Sequence, residues 1–580
     1  MSTSNFATLR AVVIAQQDVA FLNAPLRRRR SRLRKLGVAS VVVVVVFLVA
    51  QVVFGIATRM RPPPALDGRR SASGIAPALQ ARGPRSMIGE NWISKERGIW
   101  EIHLAGDPYS MGLAHARLAN PVLLEQEDFM FSEFEKYVPS SLARRLIRLG
   151  VMWRYRHLGD SILARAQAEL AGLADGMIDR YGDFLPAYER VIFYHSLHDI
   201  TQGLEGSPML GCTAMAASGS ATPNGHLIIG RNFDFEGPEI FDREKAVLFF
   251  RPEGQLPFVS IAWAGMAGVV TGINSERIYV SVNAARSDDK GRSGMPIELL
   301  LRQVMEEAHS IADVVRLVRS TPVMVPDFYL VGDGKTGEAV VLERTPRRLE
   351  VRRLDAQGTL ALSNHALSPS FSGDAENDRL KRYLTSGARY RRAVELLQKQ
   401  RGNIDPRRML EMLRDKRGVG GEALGLGNRN ALDAIIATHS VVVDATAMML
   451  WVGEGPHALG RYRAFDIAAE LQGGTRSPPV DLPADPIADS DELRNHRLAM
   501  AELKLAERLL KQKDLSHALE EAERAVALDE RSPEAHKLLG DILQERHESA
   551  AARSEYQRFL ELNPPHLHEV ETVRGILTGL

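Results

Sequence analysis

Cys212 is the only cysteine in the 580-residue chain, and it opens the stretch GCTAMAASGSATPNGHLIIGRNFDFEG at residues 211–237. A lone cysteine is most often a small buried hydrophobe, so its neighbours decide whether it does chemistry. Small apolar residues at 212–217, a turn-rich run at 218–225 and an apolar return at 226–235 predict a β-hairpin. With the turn centred on Pro223 and Asn224, Cys212 pairs with Phe235. Asp234 then lies beside it and Arg231 a few residues away. A thiol is a strong nucleophile only as the thiolate, and a nearby cation or base lowers the cost of ionising it. If the Gly211–Cys212 bond is broken, the new α-amino group, with an ordinary pKa of about 7.7–8.0, sits on the same residue and can take the thiol proton. Asp234 is placed to hold that amine. Gly211 suits the scissile position because a residue without a Cβ tolerates a strained backbone and a close approach.

The Cys-Thr pair, the hairpin and Arg-Asn-Phe-Asp together resemble the cysteine N-terminal-nucleophile hydrolases. These comprise penicillin acyltransferases, bile salt hydrolases, and the acid ceramidase and N-acylethanolamine amidase group. The likeness is greatest to the penicillin acyltransferase branch, whose prosegment start is similar to ENWISKERGIWEIHLAGDPYSMGLAHARL at residues 90–118, and it extends over residues 90–460. The resemblance implies an α/β sandwich in αββα layers and self-cleavage between Gly211 and Cys212. It implies that Cys212 is the nucleophile, Arg231 tunes the thiol and Asp234 positions the amine. Asn283 matches an asparagine of the oxyanion hole, with Asn274 as the alternative. Asn364, followed by His365, matches the second asparagine of the site. Arg389 matches a bile salt hydrolase arginine, with Arg391 or Arg392 as alternatives. ATHSVVVDATAMMLWVGEGP at residues 437–456 resembles the final strand pair, with no chemical role assigned. The implied substrate is a small N-acyl amide that forms an acyl-thioester on Cys212, resolved by water or by a second amine, with no cofactor and no metal. His195 and His198 have a helical spacing that suits a metal, but they fall in the prosegment.

Several other elements flank this core. Residues 36–58 run without a charge behind the basic cluster RRRRSRLRK, long enough for a helix of about 20 residues to cross a bilayer. They predict a single-pass anchor with the N-terminus cytoplasmic and the catalytic domain extracytoplasmic. The expected organisation is a basic tail at 1–35, the anchor at 36–58, a Pro/Arg-rich stalk at 59–87, a prosegment at 88–211 and a catalytic chain at 212–472. A Pro- and Asp-rich linker at 473–493 then leads to residues 494–580. There Ala518 and Ala552, Ala522 and Tyr556, and Ala525 and Phe559 recur at 34 residues, the tetratricopeptide period. Such repeats offer a surface for a protein partner. Two are fewer than usually stand alone, so support from the tail helix or the main domain is expected.

Composition sets the outer limits. Hydrophobic residues at 45% and charged residues at 25% describe an ordinary folded chain. A net charge of +1 gives no global attraction to nucleic acid. One cysteine allows neither an intrachain disulfide nor a cysteine-based zinc site. Two other readings remain open: a membrane-tethered repeat scaffold with an inactive core, and an acylhydrolase acting on lipid esters.

Overall fold

The strands of the central region are apolar on both faces, and the structure, a computed structural model, shows the reason: each of two sheets is covered on both sides. Residues 45, 49, 51–71, 79–202, 211–234, 239–473 and 480–579 are described. Among them, an antiparallel six-stranded sheet runs in the order Thr359–Leu362, Gly211–Gly219, Gly225–Asp234, Ala437–Asp444, Met449–Gly453 and Tyr462–Asp466. An eleven-stranded sheet runs from Gln80–Arg82 at one edge to Leu349–Arg353 at the other. Its one parallel pairing joins Ile99–Gly106 to Lys245–Pro252. Within the segment read as a stalk, Gln80–Arg82 and Arg85–Ile88 pair as strands at that sheet's edge.

Alternation along each strand sorts side chains between two cores, because successive residues point to opposite faces. Ala214 and Ala216 face the larger sheet and pack in one cluster with Val247, Val259, Phe328 and Val341. Met215 and Ala217 face outward and join Ala393, Leu397, Met409 and Leu413, which belong to helices Ser386–Lys399 and Pro406–Leu413. On the far side of the larger sheet lie helices Ile297–Glu307 and Ile311–Ser320, with Pro108–Tyr137 against its Ile99–Gly106 strand. The layer order is therefore helix, sheet, sheet, helix, which matches the sandwich expected from the resemblance.

The chain divides into two compact units, Met1–Met60 with Ser141–His157, and Arg61–Ser140 with Leu158–Leu580. In the first, residues 51–58 are helical and Ser141–Arg154 forms an amphipathic helix. Among the described residues no helix is long and apolar enough to cross a membrane. This corrects the expected single-pass anchor at 36–58, and with it the cytoplasmic N-terminus and extracytoplasmic catalytic domain. Most of 36–50 lies outside the described residues.

At the other end of the chain, Asp491–Lys511, Leu515–Leu528, Pro533–Glu545, Ser549–Glu561 and Leu567–Gly579 form five helices around one apolar cluster. Ala518, Ala522, Ala525, Ala552, Tyr556 and Phe559, which recur at 34 residues, are all buried in it. A Cβ on Gly540 would lie 2.7 Å from the Tyr556 ring, so glycine is what lets those two helices meet. The tail helix supplies Val570 and Val573 to the same core.

Close packing also fixes the helices beside the larger sheet. A Cβ on Gly112 would lie 2.0 Å from the Glu169 carbonyl oxygen, and one on Gly172 would lie 2.1 Å from that of Tyr109. Backbone on both sides leaves nothing flexible to yield. Gly112→Ala and Gly172→Ala should each lose about 1–3 kcal/mol of stability, the usual cost of overpacking, seen as a lower denaturation midpoint with an unchanged slope. Unaltered midpoints would show that the helices separate freely.

Candidate functional site

The hairpin that carries the thiol is present, with a register two residues from the expected one. Cys212 pairs with Phe233, Gly211 with Asp234 and Ala214 with Arg231. Its pairing shifts between Ala217 and Gly219, and Gly219 pairs with Gly225. This centres the turn on residue 222 rather than between 223 and 224. Because side chains alternate, the register decides who meets whom. Cys212 and Arg231 lie on the face toward the larger sheet, whereas Gly211, Thr213 and Asp234 lie on the face toward helix Ser386–Lys399.

On the inner face the Cys212 thiol is fully buried, and Arg231 Nη2 points to Sγ at 3.8 Å. Backbone carbonyls hold the guanidinium. Arg231 Nη1 donates to the Val270 oxygen at 2.6 Å and to Thr271 Oγ1, and Nη2 donates to the Val282 oxygen. Thr271 Oγ1 in turn lies 3.0 Å from His439 Nε2. Burial drives His439 well below the ordinary histidine range, with Arg231 acting in the same direction. The ring is therefore neutral.

On the outer face, Arg389 gathers the backbone of the nucleophile. Its Nη1 donates to the Cys212 carbonyl at 2.7 Å and to Thr213 Oγ1 at 2.9 Å, and its Nη2 donates to Asn364 Oδ1 at 2.6 Å. The Cys212 N–H donates to the same Oδ1 at 3.1 Å, while Asn364 Nδ2 donates to the Ala284 oxygen at 2.8 Å. Ser386 Oγ accepts the Asn364 N–H at 2.9 Å and lies 2.8 Å from His365 Nδ1. Burial pushes His365 down to about 3, so its ring is neutral.

Burial also sets the charge states at the centre. It pushes the Cys212 thiol above its ordinary value; Arg231 and Arg389 pull it down and Asp234 pushes it up. Asp234 is pushed up to about 7 by burial, opposed by Arg389, Arg429 and Arg231 and reinforced by Asp433. Burial thus outweighs the two guanidiniums, and the thiol of the uncleaved chain is held above its ordinary value.

The remaining sequence candidates separate by their partners. Asn283 Nδ2 donates to the Ser363 oxygen at 3.0 Å, which places Asn283 next to the Asn364 strand end. Asn274 is committed elsewhere: Nδ2 donates to the Met305 and Ala308 oxygens and Oδ1 accepts from the Glu276 and Ile278 N–H groups. Arg392 pairs with Asp415 and Glu395 and Arg391 is exposed, so of the three arginines Arg389 is the one at the thiol. His195 accepts from the Ala267 N–H at 2.8 Å, whereas His198 pairs with Asp327 at 2.8 Å. The two rings do not converge. Glu101, His103 and Glu470 group metal-type donors within 4.8 Å, but Arg463 already occupies the Glu101 carboxylate.

Sequence reasoning missed Thr271, His439, Ser386 and Arg429. His439 carries a signal in retrospect, since strand Ala437–Asp444 otherwise turns apolar residues such as Val441 and Val443 inward. The others come from segments far apart in the chain.

A family model described as acyl-coenzyme A:6-aminopenicillanic acid acyl-transferase matches residues 220–422, about a third of the chain. The match takes in Arg231, Asp234, Asn283, Asn364 and Arg389 and begins after Cys212. Among individual relatives, an uncharacterized protein of Archaeoglobus fulgidus is 28% identical over 293 residues, covering 47% of each chain. An N-acylethanolamine-hydrolyzing acid amidase of Caenorhabditis elegans is 25% identical over 234 residues, 38% of this chain and 61% of that one. The acid ceramidase of Homo sapiens is 27% identical over 171 residues, 25% of this chain and 42% of that one. The chain thus spans about half of the first relative's length and three-fifths of the second's.

Because the chain has a single thiol, its alkylation reports on Cys212 alone. Arg231→Met removes the nearest cation, so half-maximal alkylation should move to higher pH, whereas Arg231→Lys should stay closer to the wild type. A profile unmoved by Arg231→Met would show that this guanidinium does not set the thiol's ionisation.

Proposed function

We propose that this chain is a self-processing cysteine amidohydrolase or acyltransferase that cleaves the amide of a small N-acyl compound through an acyl-thioester on Cys212. One observation carries the reading: Asn364 Oδ1 accepts the Cys212 N–H while Arg389 binds the Cys212 carbonyl and Arg231 faces Sγ. A merely structural cysteine needs none of these, and the nitrogen so held is the one that self-cleavage would turn into a free amine. The matching family model and the amidase and ceramidase relatives support the same reaction class.

In the precursor, Sγ attacks the Gly211 carbonyl carbon and the Gly211–Cys212 C–N bond breaks, moving the acyl group from nitrogen to sulfur. Water then hydrolyses the thioester and leaves Cys212 with an α-amino group. In the mature site this amine, held by Asn364 Oδ1 and Asp234, takes the thiol proton. The thiolate attacks the substrate carbonyl, and the oxyanion is held by backbone N–H groups and by Asn283. One N–H of the Asn283 amide goes to Ser363, which leaves the other for the oxyanion. The leaving amine recovers the proton and the thioester passes to water or to a second amine. The Cys-bearing piece and the piece before it would remain joined, since strand Ile99–Gly106 pairs with Lys245–Pro252 inside one sheet.

Intact mass and N-terminal sequencing of the purified protein beside Cys212→Ala test this directly. The wild type should give two chains, one beginning Cys-Thr-Ala-Met, and the variant a single chain. Asn283→Ala should still be cut but lose about 10²- to 10³-fold in turnover of N-acyl amides, as loss of an oxyanion donor does. A wild type that stays uncut and inert toward both acyl amides and acyl esters would favour a scaffold.

A further inference from the structure

The C-terminal helical unit does not stand apart from the site. Residues 422–433 run along it, and contacts from both sides fix that loop. Asn563, at the end of helix Ser549–Glu561, adopts a left-handed backbone with φ of 51°. Its carbonyl oxygen accepts from Asn428 Nδ2 at 3.2 Å and Asn430 Nδ2 at 3.4 Å, and its own Nδ2 donates to Glu422 Oε2 at 2.7 Å. A Cβ on Gly425 would lie 2.3 Å from the Arg531 carbonyl oxygen, and one on Gly427 would lie 3.0 Å from the His496 ring. Leu426 and Ile435 pack on Leu493 of helix Asp491–Lys511. Two glycines, two asparagines and an apolar contact thus serve a single docking.

At its other end the loop is tied to the nucleophile hairpin. Asn232, between Arg231 and Phe233, donates through Nδ2 to the Leu432 oxygen at 3.0 Å. A few residues on, Ala437 pairs with Asp234. Between the two anchors sits Arg429, flanked by the asparagines that grip Asn563. We propose that the C-terminal helical unit is a working part of the enzyme, in which Asn563 is a positioning residue for the loop that carries Arg429 and is tied to the nucleophile hairpin. This rests on the function proposed above and adds to it a role for the repeats other than recruiting a partner.

The electrostatics agree with that placement. Arg429 favours the charged form of Asp234 and disfavours that of Arg389. The charged or titratable groups that act on Asp234 are Arg231 and Cys212 from the opposite face of the hairpin, Arg389 from helix Ser386–Lys399, and Arg429 and Asp433 from the loop. Asp433 is itself paired with Lys416. If the loop loosens, Asp234 loses one of its three cations and binds its proton more tightly. The pH at which it ionises must then rise.

The test uses the full chain with Asn563→Ala and Gly425→Ala, which loosen the docking from opposite sides and touch no group at the thiol. Asn563→Gly, which keeps the left-handed turn and its carbonyl, is the conservative control. Turnover of an N-acyl amide and alkylation of the single thiol are each followed against pH. Both loosening variants should shift the acid limb of turnover upward by several tenths of a pH unit and lower the rate several-fold near neutrality. They should also change the midpoint of thiol alkylation, and Asn563→Gly should restore most of both. Profiles superimposable on the wild type, whatever the stability loss, would overturn the proposal. If the wild type turns over no amide, the proposed reaction fails, and the alkylation profiles still decide whether the helical unit sets the state of the site.

Discussion

The hydrogen bond from the Cys212 N–H to Asn364 Oδ1 is the point on which the site turns. It joins the nucleophile strand to the end of Thr359–Leu362, and Arg389 closes it from the helical layer by binding both Asn364 Oδ1 and the Cys212 carbonyl. Two strands of the smaller sheet and the helical layer meet through one oxygen atom, and the same side chain reaches the larger sheet through Nδ2 to the Ala284 oxygen. The backbone at Cys212 is thereby fixed before any bond is cut, so a nitrogen released there would already have its acceptor. Preorganisation of this kind costs nothing at the moment of reaction.

Around that bond the site is a balance of buried charges. Arg231, Arg389 and Asp234 are all nearly inaccessible to water, where an unpaired charge is very costly. Carbonyl oxygens of Val270 and Val282 solvate Arg231, and the Cys212 carbonyl and Asn364 solvate Arg389. Burial pushes the Asp234 carboxyl up to about 7 against the pull of Arg389, Arg429 and Arg231. An ionisable group so poised responds to small displacements of neighbouring cations, and this gives the distant Arg429 loop its leverage.

Much of the arrangement was legible in the chain. A unique cysteine after glycine, the turn-rich interval and Arg-Asn-Phe-Asp identified the hairpin and three of its charged or nucleophilic residues. Asn364 and Arg389 were placed by resemblance, and the structure brings both to Cys212. The membrane anchor is the clearest divergence: a charge-free run at 36–58 reads as a span by composition, yet among the described residues no helix is long and apolar enough to cross a membrane.

Local pattern alone determined that residues 211–234 fold back on themselves and that residues 494–580 are paired helices. These follow from periodicity and turn chemistry, which act over a few residues. Tertiary structure decided the rest. A turn centred earlier than expected set the register two residues away, so Cys212 meets Phe233 and Gly211 meets Asp234. It also brought Thr271, His439 and Arg429 to the site, and docked the last helices on an active-site loop. Such juxtapositions depend on turn geometry and on packing between segments hundreds of residues apart, and neither leaves a period in the sequence.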